Sequence, residues 1–134
     1  MRESILFPDY SDVVLCLEVL EHIPEEYADQ AVRNVINAGK NLIISPSPHG
    51  GGEHHHNPKP KDYWMAKFKE YHYEEVPEKT RVIQDELGKV KQHTTWIDNI
   101  YNYRITVCVK RNFNTIFNKG CYIFNIEILY SQVR

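Results

Sequence analysis

Residues 12–45 read DVVLCLEVLEHIPEEYADQAVRNVINAGKNLIIS, and this stretch decides the predicted fold. Val13–Leu17 are apolar without alternation, which is typical of a strand covered on both faces in a parallel sheet. A helix is predicted to begin at Pro24, which has no N–H to satisfy, and to end at Gly39, which supplies a left-handed stop. Asn41–Ser45 are predicted to form a second buried strand. This strand–helix–strand order predicts a right-handed βαβ unit and therefore an α/β fold.

The rest of the chain predicts further elements of both kinds. A helix is expected to open near Pro60 and Asp62, and residues 74–100 allow another helix. Apolar and polar residues alternate over 101–110, and again from Tyr122 to Tyr130, which is the period of a strand. An asparagine-rich linker joins the two alternating segments, so a hairpin is expected there.

Composition restricts the class of protein. The 134 residues are 42% hydrophobic and 25% charged with a net charge of −2, which excludes a disordered or collagenous chain. No run approaches the roughly 20 apolar residues of a membrane span, so no membrane partner is expected. The three cysteines lie far apart in apolar segments, as free thiols do in a reducing cytoplasm, and we expect a cytoplasmic protein.

Charge is uneven along the chain. Residues 58–134 carry 13 basic and 9 acidic side chains, so this half could attract phosphate-bearing partners. The basic residues are interleaved with acids, however, and there is no basic stripe with interleaved aromatics of the kind expected for RNA. A solvated face is the favoured interpretation, and nucleic acid is a disfavoured partner.

Two polar segments follow the two predicted strands of the βαβ unit. Residues 18–24 (EVLEHIP) come directly after the first strand, and residues 45–58 (SPSPHGGGEHHHNP) come after the second. Since ligands of open α/β sheets bind at the carboxyl ends of parallel strands, these segments are expected to lie side by side and to carry the chemistry.

The segment LEVLEHIP at residues 17–24 resembles the one that follows the fourth strand of class I S-adenosylmethionine-dependent methyltransferases. The next helix, the strand at 42–45, its proline-rich loop and PKPKDYW at residues 58–64 match the following elements in order, so the resemblance covers roughly residues 10–110. It implies a partial Rossmann-like methyltransferase sheet with a C-terminal antiparallel strand or hairpin. Residues 1–111 would be the C-terminal half of that domain, and residues 112–134 an atypical tail that could add a strand.

The family's glycine-rich turn and its ribose-holding acid lie upstream of this segment, and no glycine-rich turn precedes Val13 here. In the family, the fourth strand pairs with the first. We therefore expect an open edge at residues 13–17 through which the chain could self-associate, unless the tail covers it. The start at Met1 is interpreted as truncated or misassigned.

The resemblance implies an enzyme that transfers a methyl group from S-adenosylmethionine to a small-molecule or sugar-like acceptor. It places Leu17 and Glu18 near the methionine portion of the cofactor, Val19 and Leu20 in the pocket wall, and His22 at the acceptor entrance. Val19 and Leu20 are equally well explained as plain core. A non-catalytic remnant, or a half-domain that depends on a partner, is the alternative function.

His49 is a candidate general base, because an imidazole can take a proton from an acceptor hydroxyl near neutral pH. The alternative is a mobile polar lid whose histidines face water.

A divalent metal site is a further hypothesis. Glu18, Glu21 and His22 have the i, i+3, i+4 spacing that places side chains on one helical face, and His54–His56 come from the neighbouring loop. A similar Glu-x-x-Glu-His with a distal histidine occurs in small-RNA 2′-O-methyltransferases, which makes a metal-assisted RNA methyltransferase a third possible function. The simpler interpretation is that the two glutamates serve the first turn of the following helix.

Overall fold

The computed structural model describes residues 11–50, 53–89, 105–110 and 121–124. Within them the chain forms an α/β fold, with five strands in one mixed sheet and three α-helices. The elements are β1 (Val13–Leu17), α1 (Ala28–Ala38), β2 (Asn41–Ser45), α2 (Lys61–Glu70), β3 (Tyr73–Glu75), α3 (Pro77–Gly88), β4 (Thr106–Lys110) and β5 (Cys121–Phe124).

The strand order is β3-β4-β2-β1-β5. β1 runs parallel to β2, with Val14 opposite Leu42 and Cys16 opposite Ile44, which confirms the predicted strand–helix–strand unit. β4 is antiparallel to both β2 and β3, so the expected antiparallel C-terminal strand is present.

One face of the sheet carries the core. Because alternate side chains of a strand point to the same face, Val14 and Cys16 of β1 share a face with Leu42 and Ile44 of β2, and all four are fully buried. α1 and α2 pack on this face and complete the hydrophobic core, chiefly through Val32, Val35, Trp64 and Phe68.

The opposite face is covered less completely by the described residues. Val13, Leu15 and Leu17 are half-buried, so β1 is fully covered on one face and partly covered on the other. An apolar cavity of about 510 Å³ lies here between the sheet and α3, whose Val82 is 60% exposed.

The end of α1 corrects the predicted role of Gly39. Its φ of 175° and ψ of 171° are extended, not left-handed. A side chain is excluded there by close approach instead, because a Cβ atom would meet the Ser11 carbonyl oxygen at 2.6 Å and Val14 Cγ2 at 2.8 Å. The start also differs: Pro24 precedes a short 3-10 turn, Glu25–Tyr27, and the α-helix begins at Ala28.

The helix predicted near Pro60 is confirmed as α2, which buries Trp64 and Phe68. The helix allowed within residues 74–100 is confirmed as α3. The sequence analysis did not anticipate β3, which is a three-residue edge strand.

The second C-terminal strand corrects the expected hairpin. β5 does not form a hairpin with β4 but runs parallel to β1 at the far side of the sheet, with Val14 opposite Tyr122. β1 is therefore paired on both sides, so the tail covers the edge at residues 13–17 that would otherwise be open, which is the alternative stated from the sequence. The parts of the two alternating segments at 101–104 and 125–130 lie outside the described residues.

β4 is buried on both faces, contrary to its alternating pattern. Cys108, on the nominally polar side, joins the main core, whereas Val107 lines the cavity beneath α3.

Cys16 and Cys108 are free and buried, as predicted. Burial raises the pKa of the Cys108 thiol to about 12 and that of the Cys16 thiol further still, so both stay protonated.

None of the described helices has the length and apolar character needed to cross a membrane.

Candidate functional site

The two polar segments meet at one end of the sheet. β1 and β2 are parallel and in register to their last residues, with Leu17 opposite Ser45, so the chain leaves both strands at the same edge. The first segment then tightens into a 3-10 turn at Leu20–His22. The side-by-side arrangement predicted from the sequence is therefore present.

Glu18 is tied to the end of β2. Its backbone N–H donates to the Ser45 carbonyl oxygen (3.1 Å) and to Ser45 Oγ (3.0 Å), and Ser45 Oγ donates to Glu18 Oε1 at 3.1 Å. Glu18 also has a φ of 52°, a region that residues other than glycine seldom adopt. This unusual backbone is held in place by the bonds to Ser45, a partner that the sequence analysis did not single out.

Glu21 is fully buried in the 3-10 turn, with 0% of its surface exposed. Neither carboxylate oxygen has a hydrogen-bond partner within the described residues. Burial raises the pKa of Glu21 to about 7, and the neighbouring Glu18 carboxylate adds to this. The backbone N–H groups of Glu21 and Ser47, which lie nearby without making a hydrogen bond to the carboxylate, and the His55 ring offset it in part. A buried carboxyl without a partner is costly, and such a group calls for a chemical explanation.

His22 and His55 lie beside Glu21. One ligand atom from each of the three side chains falls within 4.8 Å of those of the others, and the two rings meet edge to face with centroids 4.6 Å apart. Burial, together with the nearby His55, lowers the pKa of His22, which favours its neutral form.

The loop after β2 is bonded back onto the turn. The Asn57 backbone N–H donates to the Glu21 carbonyl oxygen at 2.9 Å, and His22 Nδ1 lies 3.1 Å from the carbonyl oxygen of His54. The Asn57 side chain is itself buried, with no partner for its amide within the described residues. Sequence reasoning missed Asn57, although its place between the histidines and Pro58 marks the point where the loop turns back.

The predicted site residues therefore separate into two groups. Of the six proposed metal ligands, Glu21, His22 and His55 come together, whereas Glu18 is engaged by Ser45. His54 and His56 are exposed and lie against each other, with ring centroids 6.2 Å apart. His54 also has a φ of 64°, in the left-handed region that residues other than glycine seldom adopt.

The remaining predicted residues have simpler environments. Val19 and Leu20 are fully buried in the hydrophobic core, and Leu17 is half-buried at the strand end. His49 is exposed, and its carbonyl oxygen lies 2.7 Å from His55 Nδ1. None of these residues lines the apolar cavity beneath α3.

The chain matches no known protein family, no curated protein and no solved structure. The functional interpretation therefore depends on the motif and on the geometry described above.

Proposed function

We propose that this chain is part of an S-adenosylmethionine-dependent methyltransferase domain that acts on a small-molecule or sugar-like acceptor. The observation that supports this most directly is the placement of the Glu18–His22 segment. It leaves the carboxyl end of a parallel strand beside the loop that follows the neighbouring parallel strand, which is where ligands of open α/β sheets bind.

Leu17 and Glu18 are the proposed contacts to the methionine portion of the cofactor. The bonds between Glu18 and Ser45 hold this carboxylate at the edge of the sheet without burying it completely. A half-buried carboxylate at that position suits the ammonium group of the methionine portion, since the attraction between them is less screened than in water. Val19 and Leu20 support the segment from the core side.

When bound, S-adenosylmethionine would supply an electrophilic methyl group from its sulfonium to the acceptor oxygen, with S-adenosylhomocysteine as the leaving group. The acceptor proton passes to a base, for which His22 and His49 are the proposed groups. His22 is the better placed, because its lowered pKa keeps it neutral and able to accept a proton.

A partner-dependent or non-catalytic half-domain is the second candidate function. It is favoured by the pairing of β5 with β1. In the family, the strand that corresponds to β1 pairs with the first strand of the domain, and in this chain β5 occupies that position. If a second copy pairs with the described sheet, the edges that it would use are those of β3 and β5. Sedimentation of the chain over a range of concentrations tests this association.

Equilibrium binding of S-adenosylmethionine to the folded chain tests the proposal. Glu18→Gln keeps an acceptor oxygen for Ser45 but removes the charge, and we expect it to weaken binding by about 10–100-fold, the value of a hydrogen bond to a charged group. Glu26→Gln, at an exposed position of the same stretch, is the matched control and should bind as the unmodified chain does. A folded chain that does not bind the cofactor supports the half-domain alternative.

A further inference from the structure

The buried Glu21 carboxylate is the most anomalous group within the described residues. Both of its oxygens are inaccessible and without hydrogen bonds, although most buried polar groups in proteins have at least one partner. Two imidazole rings lie next to it, each offering a nitrogen within 4.8 Å. An ion between the three side chains would supply the missing partner.

Each of the two histidines has its Nδ1 beside a backbone carbonyl oxygen. His22 Nδ1 lies 3.1 Å from the His54 carbonyl oxygen, and His55 Nδ1 lies 2.7 Å from the His49 carbonyl oxygen. A carbonyl oxygen only accepts, so each Nδ1 carries the hydrogen and each Nε2 carries the lone pair. Histidines that bind metals typically donate their other ring N–H to a carbonyl or carboxylate in this way, which fixes the tautomer and aims the ring.

The cluster is assembled by backbone contacts between the two segments. The bond from the Asn57 N–H to the Glu21 carbonyl oxygen joins the histidine loop to the 3-10 turn directly beside the ligands. The ligand atoms lie no more than 4.8 Å apart, and bonds of about 2.0–2.2 Å to one ion would draw them about 1 Å closer.

We propose that Glu21, His22 and His55 form a mononuclear site for a divalent transition metal of the zinc type. Two imidazole nitrogens and one carboxylate oxygen suit such an ion better than Mg²⁺ or Ca²⁺, which prefer oxygen ligands. Three protein ligands leave a fourth position for water or substrate. One consequence rests on the proposed function: a hydroxyl oxygen of the acceptor would take this position, where the ion lowers its pKa. With His22 Nε2 bound to the ion, His49 and not His22 would then be the base that takes the acceptor proton.

Zinc titration of the full chain, freed of any affinity tag and without S-adenosylmethionine, tests the site. We expect one Zn²⁺ per chain, retained through dialysis and found by elemental analysis. Glu21→Gln and His55→Ala should each weaken binding by more than about 100-fold, since changes outside the ligand shell alone typically cost about 10–100-fold. Because the titration contains no cofactor, failure here is distinct from failure of the methyltransferase proposal.

The control variant is His56→Ala, which removes the exposed histidine next to the proposed ligand and should leave zinc binding unchanged. The proposal is overturned if the chain binds no Zn²⁺. It is also overturned if Glu21→Gln binds as tightly as the unmodified chain while His56→Ala does not, since the ion would then sit on exposed histidines. Thermal unfolding in the presence of a chelator shows whether each variant is folded. If Glu21→Gln does not fold, His55→Ala still tests the site, because this loop side chain is only half-buried.

Discussion

At the scale of single residues, Glu21 links stability to pH. The pKa of its buried carboxyl is raised from 4.5 to about 7, so the folded chain holds a proton that the unfolded chain releases. The stabilisation from this proton is complete below pH 4.5 and is lost as the pH rises through about 7.

We therefore expect the metal-free chain to lose stability on the order of 3 kcal/mol between pH 4.5 and somewhat above pH 7, at 1.36 kcal/mol per unit of pKa difference. Urea unfolding at several pH values in the presence of a chelator measures it. Glu21→Gln should remove most of this dependence, because the amide does not ionise. Parallel curves for the two proteins would show that Glu21 titrates normally.

A second prediction at the scale of single residues concerns Gly39. It depends on the lack of room for a Cβ atom at this position and not on the φ and ψ angles of the residue. Gly39→Ala would place a Cβ atom 2.6 Å from the Ser11 carbonyl oxygen and should lower the free energy of unfolding by about 1–3 kcal/mol, as overpacking does. Gly50→Ala is the control, because its Cβ would meet only Pro58 Cγ at 3.5 Å. Equal stability of the two variants in urea would contradict this account.

At the scale of elements, α3 is attached to the sheet by Thr80. This side chain is 6% exposed, and its Oγ1 accepts the backbone N–H of Val107 in β4 at 3.0 Å. The Val76 N–H just before the helix donates to the Val107 carbonyl oxygen at 2.8 Å. The start of α3 thus satisfies both backbone groups of one residue in β4.

Thr80→Val preserves the shape of the side chain but leaves the Val107 N–H without its acceptor. We expect a loss of about 1–3 kcal/mol in the free energy of unfolding, the cost of an unsatisfied buried donor. Thr80→Ser retains the hydroxyl and should lose less. Greater stability of the valine variant than of the serine variant in urea unfolding would mean that the bond contributes nothing.

Local sequence predicted the elements whose pattern is long or continuous. The apolar run Val13–Leu17, the helical repeat of α1 and the strand at Asn41–Ser45 all appear at nearly the expected positions. β3 was missed because three residues carry no usable period. The position of β5 was also missed, because the choice of partner strand depends on the rest of the sheet and not on the alternation around Tyr122.

The candidate site was predicted in outline only. Strand ends and residue types identified Glu21, His22 and His55, but they also suggested Glu18, His54 and His56. The structure separates the two sets, because Glu18 is bonded to Ser45 and because His54 and His56 are exposed. Spacing along the chain does not encode these features.

At the scale of the whole molecule, the sheet has two different faces and one polar end. The core face is closed by α1 and α2, whereas the other face holds the apolar cavity beneath α3. The carboxyl ends of β1 and β2 bring Glu18, Glu21 and the histidine loop together. We propose that this end of the sheet binds S-adenosylmethionine.

Backbone amide NMR of the labelled chain, recorded with and without S-adenosylmethionine, tests this proposal because it shows where the cofactor binds. We predict that the amide signals of residues 17–22 and 45–50 shift on titration and that those of α3 do not. An unchanged spectrum from a folded chain would contradict the claim, as would shifts confined to Val82, Ile83 and the other residues that line the apolar cavity.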